Sequence, residues 1–550
     1  MDCNALAERL YPNVTLTPED LEARYPGRGL PESAVVTRVA PSPTGFMHIG
    51  NLFSAMTGER LAHTSGGVFY LRIEDTDQKR AIPGGVGMII DAFAHYGLAF
   101  DEGASKAGDT GSYGPYRQRE RAEIYHVFAK KLVAEGKAYL CFCTEEELAA
   151  IREKQSAAKE DQIGYCGGYA VCRNLSEDEI AARLDRGEPY VLRLRSGGDP
   201  ARRVKFTDLV KGTIEFPENN QDIVLLKSDG IPTYHFAHVV DDHLMRTTHV
   251  VRGEDWFPSF PIHHQLFGMM GWELPEYIHT SNIVKMDGVS KRKLSKRKDP
   301  EAALTFYDEQ GYPVEALREY VMTLLNSNFE EWRLANPDGP LVSFPFSYKK
   351  MGVSGALFDL DKLGDISKNV ISRLTAGEAF ALLSAWAKEF DPQFSGLLER
   401  DPEYAAAILA IGRGGEKPRK DLAVWGEAKA YMDFFYDELF APDYAWPERA
   451  SGDNAKAVLE GYLDGFTVPE DSAVWFDGVK ALAENLGYAS NMKEYKKNPD
   501  AFKGNVGDVS MVLRVAVTGR RNSPDLFEVI KLLGGSRTRQ RLEKALEAIL

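Results

Sequence analysis

Residues 35–39 (VVTRV) run directly into Ala40-Pro41-Ser42-Pro43-Thr44-Gly45-Phe46-Met47-His48-Ile49-Gly50-Asn51. The first five are rich in β-branched side chains and read as a strand. Two prolines and Gly45 force a turn straight after it. Leu52, Phe53, Met56 and Leu61 then recur at helical spacing, so a helix begins near His48. Strand, turn and helix in that order are the first unit of a parallel α/β sheet, in which ligands bind beyond the carboxyl ends of the strands. Free N–H groups at the helix start favour an anion, and His48 is placed to donate to a phosphate. Gly50 lets a flat nucleotide ring approach the backbone.

The alternation continues. Residues 68–73, 222–226, 249–252 and 277–283 read as strands, and 88–96 and 120–135 as helices. Beyond about residue 300 the strand signals fade. Amphipathic helices are predicted over 378–389, 405–411, 455–462 and 536–550, with Gly/Pro-rich interruptions near 413–418, 441–453 and 464–470. No repeat of solenoid period stands out. At about 150 residues per domain, a chain of 550 residues calls for roughly three or four. The layout expected is an α/β domain interrupted by an insertion at 121–222, followed by helical domains.

Charge and composition exclude several classes. Lys and Arg number 66 against 81 Asp and Glu, a net charge of −15, so nucleic acid would be held by local basic patches. No apolar run is long enough to span a membrane. Asp2 and Glu8 interrupt the N-terminus where a secretory signal would be apolar. Five cysteines make no disulfide framework, and a cytoplasmic location is the expectation.

Three further groups carry chemistry. Residues 285–298 (KMDGVSKRKLSKRK) hold seven basic side chains and one acidic one. Gly288 and Ser290 suggest a flexible loop able to fold over a triphosphate and neutralise charge on a leaving pyrophosphate. Arg38, Glu74 and Arg252 fall at or near predicted strand ends, where a pocket lies. Cys141, Cys143, Cys166 and Cys172 form a Cys-x-Cys and a later pair, the pattern of a structural zinc site, set against scattered reduced thiols.

The turn at 40–51 resembles the H-I-G-H motif of class I aminoacyl-tRNA synthetases, and residues 293–297 (KLSKR) resemble their K-M-S-K-S motif. Residues 40–45 (APSPTG), 72–77 (RIEDTD), 229–243 (DGIPTYHFAHVVDDH) and 513–524 (LRVAVTGRRNSP) narrow the resemblance to the bacterial-type glutamyl-tRNA synthetases, from about residue 35 to the end. Asn51 replaces the final His of the first motif. Lys298-Asp299 stands where His-Gly is common, and residues 1–34 have no counterpart.

The resemblance implies an α/β Rossmann-like parallel-sheet catalytic domain with an inserted acceptor-binding domain, then mostly α-helical stem-contact and anticodon-binding domains. The expected boundaries are an extension at 1–34, the catalytic domain at 35–120 and 223–285, and the insertion with the zinc site at 121–222. The KLSKR loop and stem-contact domain follow at 286–380 and the anticodon-binding domain at 381–550. It implies a glutamate–tRNA ligase that uses ATP and Mg²⁺, takes L-glutamate and tRNA(Glu) as partners, touches no membrane and acts as a monomer. Transfer RNA would have to be bound before glutamate is activated. His48, Lys293 and Lys296 would hold phosphates, with Gly50, Asn51 and Ser295 against ATP. Arg38, Tyr234 and Arg252 would read the side-chain carboxylate, and Glu74 with Ser42 would receive the α-ammonium. His238 stands where many relatives carry Asn. Cys166 or Tyr169 would complete the zinc site. Arg413, Lys417, Arg419 and Lys420, then Arg514, Arg520 and Arg521, then Arg537, Arg539 and Arg541, are candidate contacts to the phosphate backbone, and Arg419 falls where relatives read the third anticodon base. An alternative is a non-discriminating enzyme that also charges tRNA(Gln) with glutamate. A glutaminyl enzyme, a truncated base-modifying relative, a small-molecule nucleotidyltransferase and a non-catalytic RNA-binding module are the remaining readings.

Overall fold

The computed structural model describes residues 2–160, 162–295, 297–468 and 470–549. It divides into two compact units. The first runs through Leu304 and resumes over Arg318–Asp359; the second takes Thr305–Leu317 and resumes at Leu360.

In the first unit, strands β1 (Val36–Val39), β2 (Val68–Leu71) and β3 (Glu102–Gly103) pair in parallel. The helix Ile49–Thr64 packs on β1 and β2. Next, β4 (Ala138–Cys141) and β5 (Val191–Leu194) pair antiparallel, β6 (Arg203–Asp208) and β7 (Gly212–Pro217) form a hairpin, and β8 (Val224–Leu226) returns to β5. Then β9 (His249–Gly253) and β10 (Glu276–Thr280) run parallel, and Asp208 on β6 pairs with Tyr277 on β10. The β6–β7 hairpin, assigned from sequence to the insertion, therefore widens the sheet that carries β9. Strand β1 lies alongside β9, joined through the Thr248 N–H to the Val36 carbonyl at 3.0 Å.

The first part of the basic segment forms a hairpin. β11 (Ile283–Asp287) and β12 (Ser290–Lys293) pair antiparallel across Gly288-Val289, and a short β13 (Ala356–Leu357) adds to β11. Gly288 supplies the positive φ, 62°, that tight hairpin turns demand.

The N-terminal residues are integral to the first unit. A capping box between Thr17 and Asp20 starts the helix Pro18–Arg24, which packs with Cys3–Leu10 against the helix Ala122–Ala134. Tyr25 is 1% exposed and donates its hydroxyl to the Gly114 carbonyl.

The second unit is helical, around a core that includes Leu383, Phe394, Ile408, Leu459, Val512 and Leu542. The predicted C-terminal helix is the far part of one element, Leu526–Glu547, broken at Gly534 where φ is 76°. No described helix is long and apolar enough to cross a membrane.

Candidate active site

A cleft of about 750 Å³ opens beyond the carboxyl ends of β1, β9 and β10. His48, Gly50 and Asn51 line it on one side, Arg38, Ser42 and Glu74 at the strand ends, and Tyr234, Arg252, Lys293 and Ser295 opposite. Sequence spacing therefore brings ten named residues to one cavity. Lys296 lies outside the described residues.

The turn is fixed by its own helix cap. His48 Nδ1 accepts from the Asn51 N–H at 3.2 Å, and Asn51 Oδ1 accepts from the His48 N–H at 3.0 Å. Asn51 thus serves as the N3 partner of a capping box, a role for the position where the motif departs from His. With Nδ1 accepting, the neutral ring carries its proton on Nε2. A Cβ on Gly50 would sit 2.9 Å from His48 Nδ1, so glycine is required first by the cap itself.

Behind the cleft lies a buried ion network. Asp242 accepts from Arg38 Nε (3.0 Å), Arg38 Nη2 (3.2 Å) and Arg72 Nη1 (2.7 Å). Asp241 accepts from Arg121, Gln118 and Tyr125, and Arg72 Nη2 donates to Glu74 Oε1 at 3.1 Å. Three arginines balance three carboxylates. Burial pushes the Asp242 carboxyl up, but Arg38 and Arg72 together hold it below its ordinary value. Glu74 is raised, because burial outweighs Arg72 and Arg38. His238 sits behind Arg38, 3.2 Å from Asp242 Oδ2, and does not line the cleft.

Arg252 differs from Arg38, Arg72 and Arg121, each of which pairs with a buried carboxylate. It is 6% exposed and forms no ion pair with a carboxylate among the described residues. Nε donates to His279 Nε2 at 2.9 Å and Nη1 to His263 Nδ1 at 3.1 Å, while Nη2 is buried without a partner among the described residues. Neither histidine, nor Asp208 beyond His279, was singled out from sequence. Only their juxtaposition gives them a role. Tyr234 packs its ring 4.6 Å from Trp256, and burial raises its phenol to about 12.

The β11–β12 hairpin is pinned by Asp299. Its carboxylate accepts from Arg292 Nη1 (2.6 Å), Arg292 Nη2 (2.7 Å) and the Ser295 N–H (2.9 Å), and Arg292 holds it down to about 2. Lys293 reaches Asp255 across the cleft mouth, and Lys285 reaches Glu301. The acidic turn after Glu74 is engaged as well: Asp77 pairs with Arg80 at 2.6 Å and Asp75 accepts from the Arg119 N–H.

The thiol cluster corrects one expectation. The sulfurs of Cys141, Cys143 and Cys172 lie within 4.8 Å of one another, and the group does not include Cys166. Cys166 instead accepts from Gln221 Nε2 at 3.6 Å. Tyr169 is turned away to Glu160. The Tyr165 hydroxyl lies 3.3 Å from Cys143 Sγ and accepts from the Cys172 N–H. A hydrogen bond with Cys172 pulls the Cys141 thiol below its ordinary value. Three clustered thiols are donors of the kind that structural zinc sites use.

In the second unit several expected RNA contacts point inward. Arg413 donates to the Leu409 carbonyl, Arg514 to Pro524, Arg537 to Phe435 and Arg541, 3% exposed, to Val517. These arginines satisfy main-chain carbonyls, many of them at helix ends, which composition does not distinguish from a solvated basic face. Lys417, Arg419, Lys420, Arg521 and Arg539 remain exposed, with Arg419 paired to Asp421 at 2.6 Å.

Residues 34–363 match the model of the catalytic domain of class I tRNA synthetases (E and Q). The chain belongs to the class I tRNA synthetases. Within that family, residues 423–546 match the anticodon binding domain. The chain is 50% identical to a glutamate–tRNA ligase of Acetivibrio thermocellus, with 99% of this chain and all of the relative covered. It is 49% identical to that of Clostridium beijerinckii at the same coverage. A glutamate tRNA ligase of Elizabethkingia meningosepticum, solved in complex with its amino acid, superposes with a TM-score of 0.74 over 94% of this chain and all of that one, at 28% identity.

Proposed function

We propose that this chain is a glutamate–tRNA ligase that activates L-glutamate with ATP and transfers it to tRNA(Glu). The observation that carries this is Arg252: a buried guanidinium with an unpartnered Nη2, on a side chain lining the same cleft as the His48 turn. A buried cation without a counter-ion is costly, and a ligand carboxylate relieves it.

In this reading the side-chain carboxylate of glutamate sits on Arg252, with Arg38 and Tyr234 beside it. Glu74 takes the α-ammonium next to Ser42. The α-carboxylate then attacks the α-phosphorus of ATP, and the bond from that phosphorus to the bridging oxygen breaks. Glutamyl-adenylate forms and pyrophosphate leaves. The terminal ribose hydroxyl of tRNA then attacks the activated carbonyl, and AMP departs. No protein nucleophile is needed, because positioning and charge stabilisation supply the rate. His48 Nε2–H donates to phosphate, the backbone at Gly50 and Asn51 and the Ser295 region meet ATP, and Mg²⁺ accompanies the triphosphate. Lys293 exchanges Asp255 for phosphate; Lys296 joins it by the sequence resemblance. Cys141, Cys143 and Cys172, with Tyr165 beside them, would hold a structural zinc in the insertion.

Glutamate-dependent ATP–pyrophosphate exchange, with and without tRNA(Glu) and with glutamine as control, tests this. Exchange with glutamate and tRNA together is expected. Its absence under both conditions would refute the assignment.

A further inference from the structure

The two partnered nitrogens of Arg252 fix a proton map. Arginine only donates, so His279 Nε2 and His263 Nδ1 carry no proton. Each neutral ring therefore holds its proton on the other nitrogen. On His279 that is Nδ1, which donates to Asp208 Oδ2 at 2.7 Å. On His263 it is Nε2, which donates to His235 Nδ1 at 3.1 Å. Burial and the nearby positive charges hold His263 well below its ordinary value, and burial lowers His279.

Asp208 is itself locked. It is 1% exposed, Oδ2 also accepts from the His279 N–H at 3.0 Å, and Oδ1 accepts from the amides of Val210 (3.0 Å) and Lys211 (2.8 Å). The rings are held flat: Phe257 stacks on His279 at 4.1 Å and His238 on His263 at 4.2 Å. Asp242 is occupied by Arg38 and Arg72, and Glu254 by Lys211.

We propose that Asp208, His279 and His263 form a positioning relay that orients Arg252 without neutralising it, and so selects a carboxylate over a carboxamide in the cleft. This rests on the reading of the cleft as a glutamate site. A carboxylate in direct contact would orient the guanidinium equally well but would also cancel its charge, and glutamate would have to displace it. One imidazole further away, the Asp208 charge acts at roughly twice the distance, and its attraction falls to about half. The histidines take two of the five N–H donors, one on Nε and one on Nη1, and leave both on Nη2. A carboxylate ligand completes both the hydrogen bonding and the charge; a carboxamide completes only the hydrogen bonding. Asp208 comes from β6 and His279 from β10, so the pairing of those strands is what sets the relay.

The test uses the full-length protein with tRNA(Glu) and measures ATP–pyrophosphate exchange against glutamate, glutamine and ATP concentration. Asp208→Asn keeps the shape and removes the charge. It is expected to raise KM for glutamate about tenfold and to shrink the glutamate-to-glutamine ratio of kcat/KM by a similar factor, with KM for ATP unchanged. His279→Gln places an amide oxygen near the former Nε2 and serves as a second variant if Asp208→Asn does not fold. It is expected to retain more glutamate selectivity than His279→Ala. If wild-type protein exchanges with glutamate but Asp208→Asn and His279→Ala leave the glutamate-to-glutamine ratio unchanged, the relay is refuted and the substrate assignment stands. Equal rises in KM for glutamate and ATP would mark a merely structural role and also refute it. Failure of wild-type exchange would remove the substrate assignment first.

Discussion

Removing the Asp242 carboxylate should destabilise the first unit far more than a typical surface substitution. Asp242 is 1% exposed and accepts three charge-assisted bonds, two from Arg38 and one from Arg72. Asp242→Ala leaves three buried donors, each costing about 1–3 kcal/mol when unsatisfied. Breaking a buried pair from one side typically costs about 3–5 kcal/mol, since the arginines relax in part, and that is the expected loss. Asp242→Asn retains one acceptor oxygen and should lose roughly half as much. Chemical denaturation followed by fluorescence and circular dichroism measures both, with the first unit's transition fitted separately because two units need not unfold together. The effect also has a sign in pH. The folded carboxyl is held below its ordinary value, so its contribution is complete above the unfolded pKa of about 3.9 and fades as pH falls through the lower folded value. The gap between wild type and Asp242→Asn should therefore narrow below about pH 4. A difference under about 1 kcal/mol at pH 7 for Asp242→Ala would refute the view that this network is a single interdependent ion cluster.

Gly50→Ala drives a Cβ against His48 Nδ1 and breaks the reciprocal cap. Exchange activity should fall about a hundredfold with a stability change near 1 kcal/mol, read by steady-state kinetics and melting. Metal analysis should find about one zinc per chain in the wild type and in Cys166→Ser, and none in Cys172→Ser. Loss of metal from Cys166→Ser would reverse the ligand assignment. Asp299→Asn should speed hydrogen exchange at the Ser295 amide. In the wild type the same loosening should appear only as pH falls toward 2, because Arg292 holds that carboxyl down to about 2. Glu74 has a raised carboxyl, so KM for glutamate should begin to climb on acidification above the ordinary carboxylate range of about 4.3, and Glu74→Gln should abolish that pH dependence.

Local chain chemistry was enough to place the strand–turn–helix at 36–64, the helical second half, and the strand-end positions of Arg38, Glu74 and Arg252. Each follows from residues within a few positions of one another: prolines and glycine at the turn, β-branched runs, helical spacing. The motif resemblance added Tyr234, Lys293 and Ser295, and all of them line one cleft. Other features depended on partners distant in sequence. Arg38 and Asp242 are 204 residues apart, and His279 and Asp208 are 71 apart. The Tyr165 hydroxyl joined the thiol cluster in place of Cys166, because the chain after Tyr165 turns that sulfur toward Gln221. Half the arginines expected on RNA turned inward to cap carbonyls, and the basic segment closed into a hairpin because Asp299 supplied the acceptor that Arg292 and Ser295 needed. Short-range sterics and spacing set which local elements form and which family of chemistry they serve. Tertiary structure alone decided which charges are cancelled and which, like that of Arg252, are left open. Burial and pairing are properties of neighbours that the fold, not the chain order, brings together.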